Sequence, residues 1–173
     1  MRCSRSSALT ITVAASLSAG LVATPAAAVQ ATARCTFDYE PRITPGLLAS
    51  EASSGIVSSG GETGTVDCAG TIDGAQITGP GSYGFEGTYS DTDCLNGGHG
   101  AGRLLFTLPT TAGDRHVEEP MTYAFGPAAA YPSGVGGWDG SRTSGAFAVV
   151  PLEGDCVTAP VTLARGTGRF TLA

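Results

Sequence analysis

Lysine is absent from this chain of 173 residues, and nine arginines carry all its permanent positive charge against fifteen carboxylates. An acidic chain with scattered arginines has no basic stripe to follow a phosphate backbone or an anionic bilayer. This excludes nucleic acid and membrane-surface partners. The missing lysine also removes the residue that a nucleotide-triphosphate loop requires. Gly79-Pro80-Gly81-Ser82-Tyr83-Gly84 matches G-x-G-x-x-G, but that motif must open a helix. Here the alternation of residues 83–89 continues as a strand. Histidine is scarce, with only His99 and His116. No serine stands in G-x-S-x-G and no C-x-x-C pair occurs, so neither a nucleophile elbow nor a zinc site has local support. Helical periodicity is missing as well, and no apolar stretch beyond residue 28 is long enough to span a bilayer.

What is present begins with a leader. Arg2 and Arg5 form a basic start, residues 8–22 are apolar and small, and Ala26-Ala27-Ala28 offers an A-x-A cleavage site. Residues 1–28 are therefore expected to be a secretory signal peptide and residues 29–173 a single secreted domain beginning at Val29. Cys3 precedes the apolar stretch rather than following it, which excludes a lipid anchor by order. The mature chain would hold seven arginines against fifteen carboxylates, a net charge of −8.

Four cysteines remain after cleavage: Cys35, Cys68, Cys94 and Cys156. An even number in an exported chain implies two disulfides. Three pairings are open. The order without crossed loops, Cys35–Cys68 with Cys94–Cys156, is favoured, each bridge adding roughly 3–4 kcal/mol in the chain-entropy model.

The hydrophobic period is two. Cys35, Phe37 and Tyr39 alternate with Thr36, Asp38 and Glu40. Val66 and Cys68, then Tyr83, Phe85 and Tyr89, then Leu104, Phe106 and Leu108, then Val117, Met121, Tyr123 and Phe125 repeat the pattern. Such alternation suits strands with one wet face. Residues 145–150 are apolar on both faces and read as a central strand. Residues 161–163 and 169–172 read as two closing strands, with Gly166 and Gly168 at a bulge or bend. Asp73-Gly74 is a two-residue hairpin signal, and Asn96-Gly97, Asp139-Gly140 and Glu153-Gly154-Asp155 mark further turns. The expected fold is all-β: one antiparallel sandwich or barrel of about seven to ten strands, held by two disulfides. Residues 45–64, rich in Ser and Gly, read as a long surface loop with room for one helical turn. Residues 127–140 read as a second loop, carrying Tyr131, Val135 and Trp138 either as a contact surface or as a cap on the end of the barrel.

Candidate chemistry is sparse. His99 lies in a glycine-rich turn and His116 at a strand start, and each would need a nucleophile supplied by the fold. Glu118 and Glu119 are adjacent on a strand and point to opposite faces, so they form no dyad. Asp91, Asp93 and Asn96 are oxygen-rich but out of register for a calcium loop, with Leu95 at the third ligand position. No catalytic residue, metal or cofactor is assigned, and the ligand-binding positions are unknown.

The segment from Cys68-Ala69-Gly70-Thr71-Ile72-Asp73-Gly74 through Cys94, with Gly154-Asp155-Cys156-Val157-Thr158-Ala159-Pro160-Val161, resembles a group of uncharacterised secreted β-proteins of high-GC Gram-positive bacteria. That resemblance implies an exported β fold and offers no activity to carry over. In composition the chain is similar to the neocarzinostatin-type apoproteins, small acidic exported β-sandwiches with two disulfides that carry an enediyne chromophore. This implies a carrier, although those proteins close short cysteine loops and the nearest cysteines here, Cys68 and Cys94, are 26 positions apart. The leading expectation is a secreted, extracellular, non-enzymatic module that binds an unknown ligand or a cell-envelope component. The alternative is a small-molecule carrier, its pocket lined by Tyr83, Phe85 and Tyr123 and several hundred cubic ångströms in volume. A secreted hydrolase using His99 or His116 comes third.

Overall fold

A computed structural model describes residues 32–127 and 134–173. The expected signal peptide, the new terminus at Val29 and Tyr131 lie outside the described residues. Eleven strands are present: β1 (Ala33–Tyr39), β2 (Arg42–Leu47), β3 (Ser53–Ser58), β4 (Gly64–Ile72), β5 (Ala75–Gln76), β6 (Gly81–Asp93), β7 (Gly97–Leu108), β8 (Arg115–Pro127), β9 (Gly134–Gly140), β10 (Thr143–Glu153) and β11 (Val161–Leu172). They form one large antiparallel sheet, and no helix occurs among the described residues.

The strands from β6 to β11 pair in chain order. The second half of β11 then pairs with β1, β1 with β4, and β4 with the start of β6. The pairings thus return to their starting strand. At the other ends of β6 and β11 the same gap is filled by β2 and β3. Backbone N–H and C=O groups along the long strands are satisfied on both flanks, which leaves them no free edge to template aggregation.

Alternation decides which side chains face inward. Phe37, Val66, Tyr83, Phe85, Tyr89, Leu104, Phe106 and Tyr123 are all buried. Many inward rings lie against a glycine on the neighbouring strand. In the register, Phe37 faces Gly168, Tyr39 faces Gly166, Trp138 faces Gly145 and Phe147 faces Gly136. A Cβ added at Gly168 would stand 2.7 Å from the Phe37 ring, and one at Gly145 2.6 Å from Trp138. Pairing a large ring with no side chain lets a narrow interior hold many aromatics.

The two ends differ. At one end Ile72, Leu108 and Leu172 are fully buried beneath the Asp73-Gly74 hairpin, whose turn residues both have positive φ. Glu119 is also buried there and accepts hydrogen bonds from the Arg142 N–H (2.6 Å) and the Ser141 hydroxyl (2.9 Å), fixing the β9–β10 turn. At the other end the Cys94–Cys156 disulfide joins the β6–β7 turn to the β10–β11 connection. The Ala49 N–H donates to the Cys156 carbonyl (2.8 Å) and the Cys94 N–H to the Leu48 carbonyl (3.2 Å). These bonds hold residues 48–52 against the disulfide. Cys35 and Cys68 face each other directly across β1 and β4, with Cα atoms 4.0 Å apart. Both bridges follow the uncrossed order.

Five expectations need correction. Residues 45–64 are not a long loop with a helical turn: they hold the end of β2 and all of β3. Ser and Gly favour strands weakly, but the gap between β6 and β11 supplies ladder partners, and tertiary context overrides propensity. Gly55 is needed in β3 because a Cβ there would meet the Tyr89 hydroxyl at 2.8 Å. The strand count rises above ten for the same reason. Residues 161–172 form one strand rather than two, and Gly166 and Gly168 are not a bend but the seats of Tyr39 and Phe37. Within 127–140, Gly134–Gly140 is strand β9, with Trp138 buried at 6% exposure. His99 sits within β7, not in a turn.

If ring-on-glycine packing limits the interior, Gly168→Ala will lower stability by about 2 kcal/mol through overpacking. Gly79→Ala, where the nearest atom to an added Cβ is 3.9 Å away, will change stability little. Urea denaturation of the two variants checks this.

Candidate functional site: an aromatic cavity beneath an apolar rim

A cavity of about 100 Å³ lies inside the closed circuit of strands. Its walls come from residues on β1, β2, β3, β6, β7, β8, β9, β10 and β11, and among the described residues no charged side chain lines it. Phe37 stacks on Tyr83 with ring centroids 4.6 Å apart, and Tyr39 meets Tyr83 edge-on at 5.2 Å. Phe85 and Tyr123 form a second edge-on pair at 5.5 Å. Trp138 adds its ring beside Phe37 at 5.6 Å.

Four tyrosines supply hydroxyl groups to the residues that line these walls. The Tyr123 hydroxyl donates to the Thr88 carbonyl at 3.0 Å, and the Tyr89 hydroxyl donates to the Pro45 carbonyl. Tyr39 and Tyr83 make no side-chain hydrogen bond among the described residues, although Tyr83 is only 1% exposed. Burial pushes the Tyr39 and Tyr83 hydroxyls well above the ordinary tyrosine range. The proximity of Tyr123 to Tyr39, and of Tyr39 to Tyr83, adds to this. Burial, then the neighbouring Tyr89, raises Tyr123 to about 12. All three therefore stay protonated at neutral pH.

The cavity reaches the Cys94 end, where Gly97, Phe125, Pro127, Gly134 and Pro151 form its margin. Next to these positions along the chain stand side chains that burial has not claimed. Val157 is 66% exposed and Leu95 50%, one on each side of the Cys94–Cys156 bond. Val135, Val150 and Leu152 are also exposed. Exposed apolar side chains at this end are a surface for an apolar ligand or partner.

The structure brings Tyr83, Phe85 and Tyr123 together on the cavity wall, as the alternation placed them. It adds Tyr39, Tyr89, Phe147 and Trp138, which were not assigned to a pocket. Tyr39 was legible, since it continues the period of Cys35 and Phe37. Trp138 was not, because the glycines around it obscured its strand. An exposed aromatic patch at Trp138 is thus overturned: its ring faces inward, and its indole N–H donates to Thr143 Oγ1 at 3.3 Å.

The remaining candidates lie elsewhere. His99 is exposed on the outer wall, and so is His116, whose Nδ1 is 2.7 Å from Thr107 Oγ1. Neither lines the cavity. Glu118 pairs outward with Arg103, and Glu119 faces inward, as alternation requires. Asp93 caps its own turn, accepting from the N–H groups of Leu95 and Asn96, both at 2.7 Å. Burial alone would raise its pKa, but these bonds and one from the Asn96 amide hold it below the usual range. Among the described residues no group of three or more His, Cys, Asp and Glu is placed to hold a metal ion. No family model, curated protein or solved structure matches the chain.

The tyrosines predict a pH dependence. They bind their protons more tightly in the folded chain than in the unfolded one, so their contribution is fully present below pH 10.0, their ordinary pKa. It is lost as pH rises from there toward about 12. The urea midpoint, followed by the fluorescence of Trp138, is expected to fall steeply above about pH 10 and to change little just below it.

Proposed function

We propose that the chain is an exported, non-enzymatic binding module, folded as a barrel, that takes an extracellular or cell-envelope ligand at its Cys94 end. The observation that carries this reading is the aromatic cavity, which reaches the end where Leu95 and Val157 stand exposed on either side of the Cys94–Cys156 bond. Export is supported by the two disulfides, which persist in oxidising compartments, and by the leader pattern of residues 1–28. The barrel reading is supported by the closed circuit of pairings. Barrels of about eight strands have interiors that side chains fill or that hold one small ligand. The placement of His99 and His116 on the outer wall supports a role without catalysis.

A small-molecule carrier is the second reading, favoured by the enclosed aromatic surface. The volume limits it. Drug-sized ligands need about 300 Å³ or more, and the cavity offers about 100 Å³. A large chromophore of the neocarzinostatin kind does not fit inside, so only a compact apolar part of a ligand enters, with the rest on the rim.

A neutral solvatochromic dye such as Nile red, too large for the cavity, reads the rim. The dye is expected to bind the intact chain with a blue shift. Leu95→Asp combined with Val157→Asp should weaken it at least about tenfold, by placing unpaired charge on an apolar contact. His99→Ala with His116→Ala should leave it unchanged. Unaltered dye binding in the double aspartate variant would refute the rim as the binding surface.

A further inference from the structure

We propose that the outer face of β10, β11, β1 and β4 holds a second binding site, for a sugar that carries an oxyanion, with Arg34 and Arg169 as the groups that recognise the charge. It lies outside the closed circuit of strands and depends neither on the cavity nor on the Cys94 end.

The first observation is which arginines lack a partner. Of the seven arginines among the described residues, four stand against carboxylates: Arg42 with Glu153, Arg103 with Glu86 and Glu118, Arg142 with Asp73, and Arg165 with Asp38. Arg34, Arg115 and Arg169 form no ion pair among the described residues. The residues outside the described ones include no Asp or Glu, so none there could pair with them. In an acidic chain, an exposed arginine with no carboxylate beside it is the exception.

Strand register brings two of these three together. Across β1 and β11, Arg34 faces Thr171 and Thr36 faces Arg169. The two arginines are therefore diagonal neighbours on adjacent strands, about 7–8 Å apart at their roots and within reach of one shared anion. Both point outward, because Ala33, Cys35, Phe170 and Leu172, which alternate with them, are buried. Two like charges so placed repel each other, and an anion between them relieves that repulsion.

Both arginines line a concavity of about 780 Å³, within the range of about 300–1,000 Å³ that ligand sites occupy. Ala69 flanks Arg34 on β4, and Ala146 flanks Arg169 on β10. These short side chains neither cover the guanidinium groups nor bond to them. A planar guanidinium fork matches the paired oxygens of a carboxylate or a phosphate.

The rest of the lining selects the body of the ligand. Thr36, Thr171 and Ser144 contribute hydroxyls, with those of Ser144 and Thr171 3.3 Å apart. Asp67 also lines the concavity, opposite Thr36, and forms no ion pair with either arginine. Hydroxyls that donate and accept, with one carboxylate that only accepts, suit the hydroxyls of a sugar. Asp67 and the acidic chain also disfavour a long polyanion, which leaves a sugar with a single acidic group.

Two-dimensional amide NMR of the full exported chain, titrated with glucuronate, glucose 6-phosphate, glucose and acetate, tests this. At least one of the two sugar acids is expected to shift the amides of residues 34–36, 144–146 and 169–171, and to bind at least about fivefold more tightly than glucose or acetate. The tighter of the two identifies the oxyanion as carboxylate or phosphate. Arg34→Gln and Arg169→Gln should each weaken that binding about three- to tenfold, and added sodium chloride should weaken it in the parent chain. Both side chains are exposed, so an unchanged urea midpoint is expected to show that the fold is kept. Arg103→Gln removes a charge that already has two carboxylate partners and should leave binding unchanged. Glucose or acetate binding as tightly as the sugar acids would overturn the proposal. So would shifts confined to other strands, equal loss in Arg103→Gln, or no shift with any of the four compounds.

Discussion

Everything in this fold depends on filling one gap. β6 and β11 are long, and each needs hydrogen-bond partners along its whole flank. No single strand supplies them. The chain solves this with two short pairs, β1 with β4 at one level and β2 with β3 at the other. Once both pairs are seated, the strands from β6 to β11 close on themselves, and an interior exists. The cavity, the buried tyrosines and the distinction between a sealed end and an apolar end all follow from that closure.

The interior then imposes a packing rule. A narrow interior cannot hold eleven inward aromatics if the facing positions also carry side chains. Glycine opposite the ring resolves the conflict, as at Gly136, Gly145, Gly166 and Gly168. It also explains how Phe37, Tyr39 and Trp138 crowd together without displacing one another.

Much of this was legible in the sequence. Period-two alternation identified the inward faces of β1, β4, β6, β7 and β8, and the cysteine order gave both bridges. The Asp73-Gly74 turn was readable from its residue types alone, because few sequences tolerate two successive positive φ values. What stayed hidden has one physical cause. Glycine serves turns and close approach alike, and local sequence does not distinguish them. Gly166 and Gly168 therefore looked like a bend, and the glycines around Trp138 looked like a loop. Strands β2 and β3 were hidden because their stability lies in distant partners rather than in their own Ser, Gly and Pro residues. Of the site, Tyr83, Phe85 and Tyr123 could be named in advance. The carbonyl partners of the Tyr89 and Tyr123 hydroxyls could not, since whether a hydroxyl finds a carbonyl is settled only by the fold.

The two disulfides also divide the chain into separate covalent loops. Residues between Cys35 and Cys68 carry β2 and β3, and residues between Cys94 and Cys156 carry β7, β8, β9 and β10. A protease that cuts one peptide bond inside either loop makes two pieces that remain tied by the bridge and interleaved by strand pairing. In an environment rich in hydrolases, a single nick would therefore leave the molecule in one piece and its wall paired. Fragments would separate only after a second cut in the same loop or after reduction.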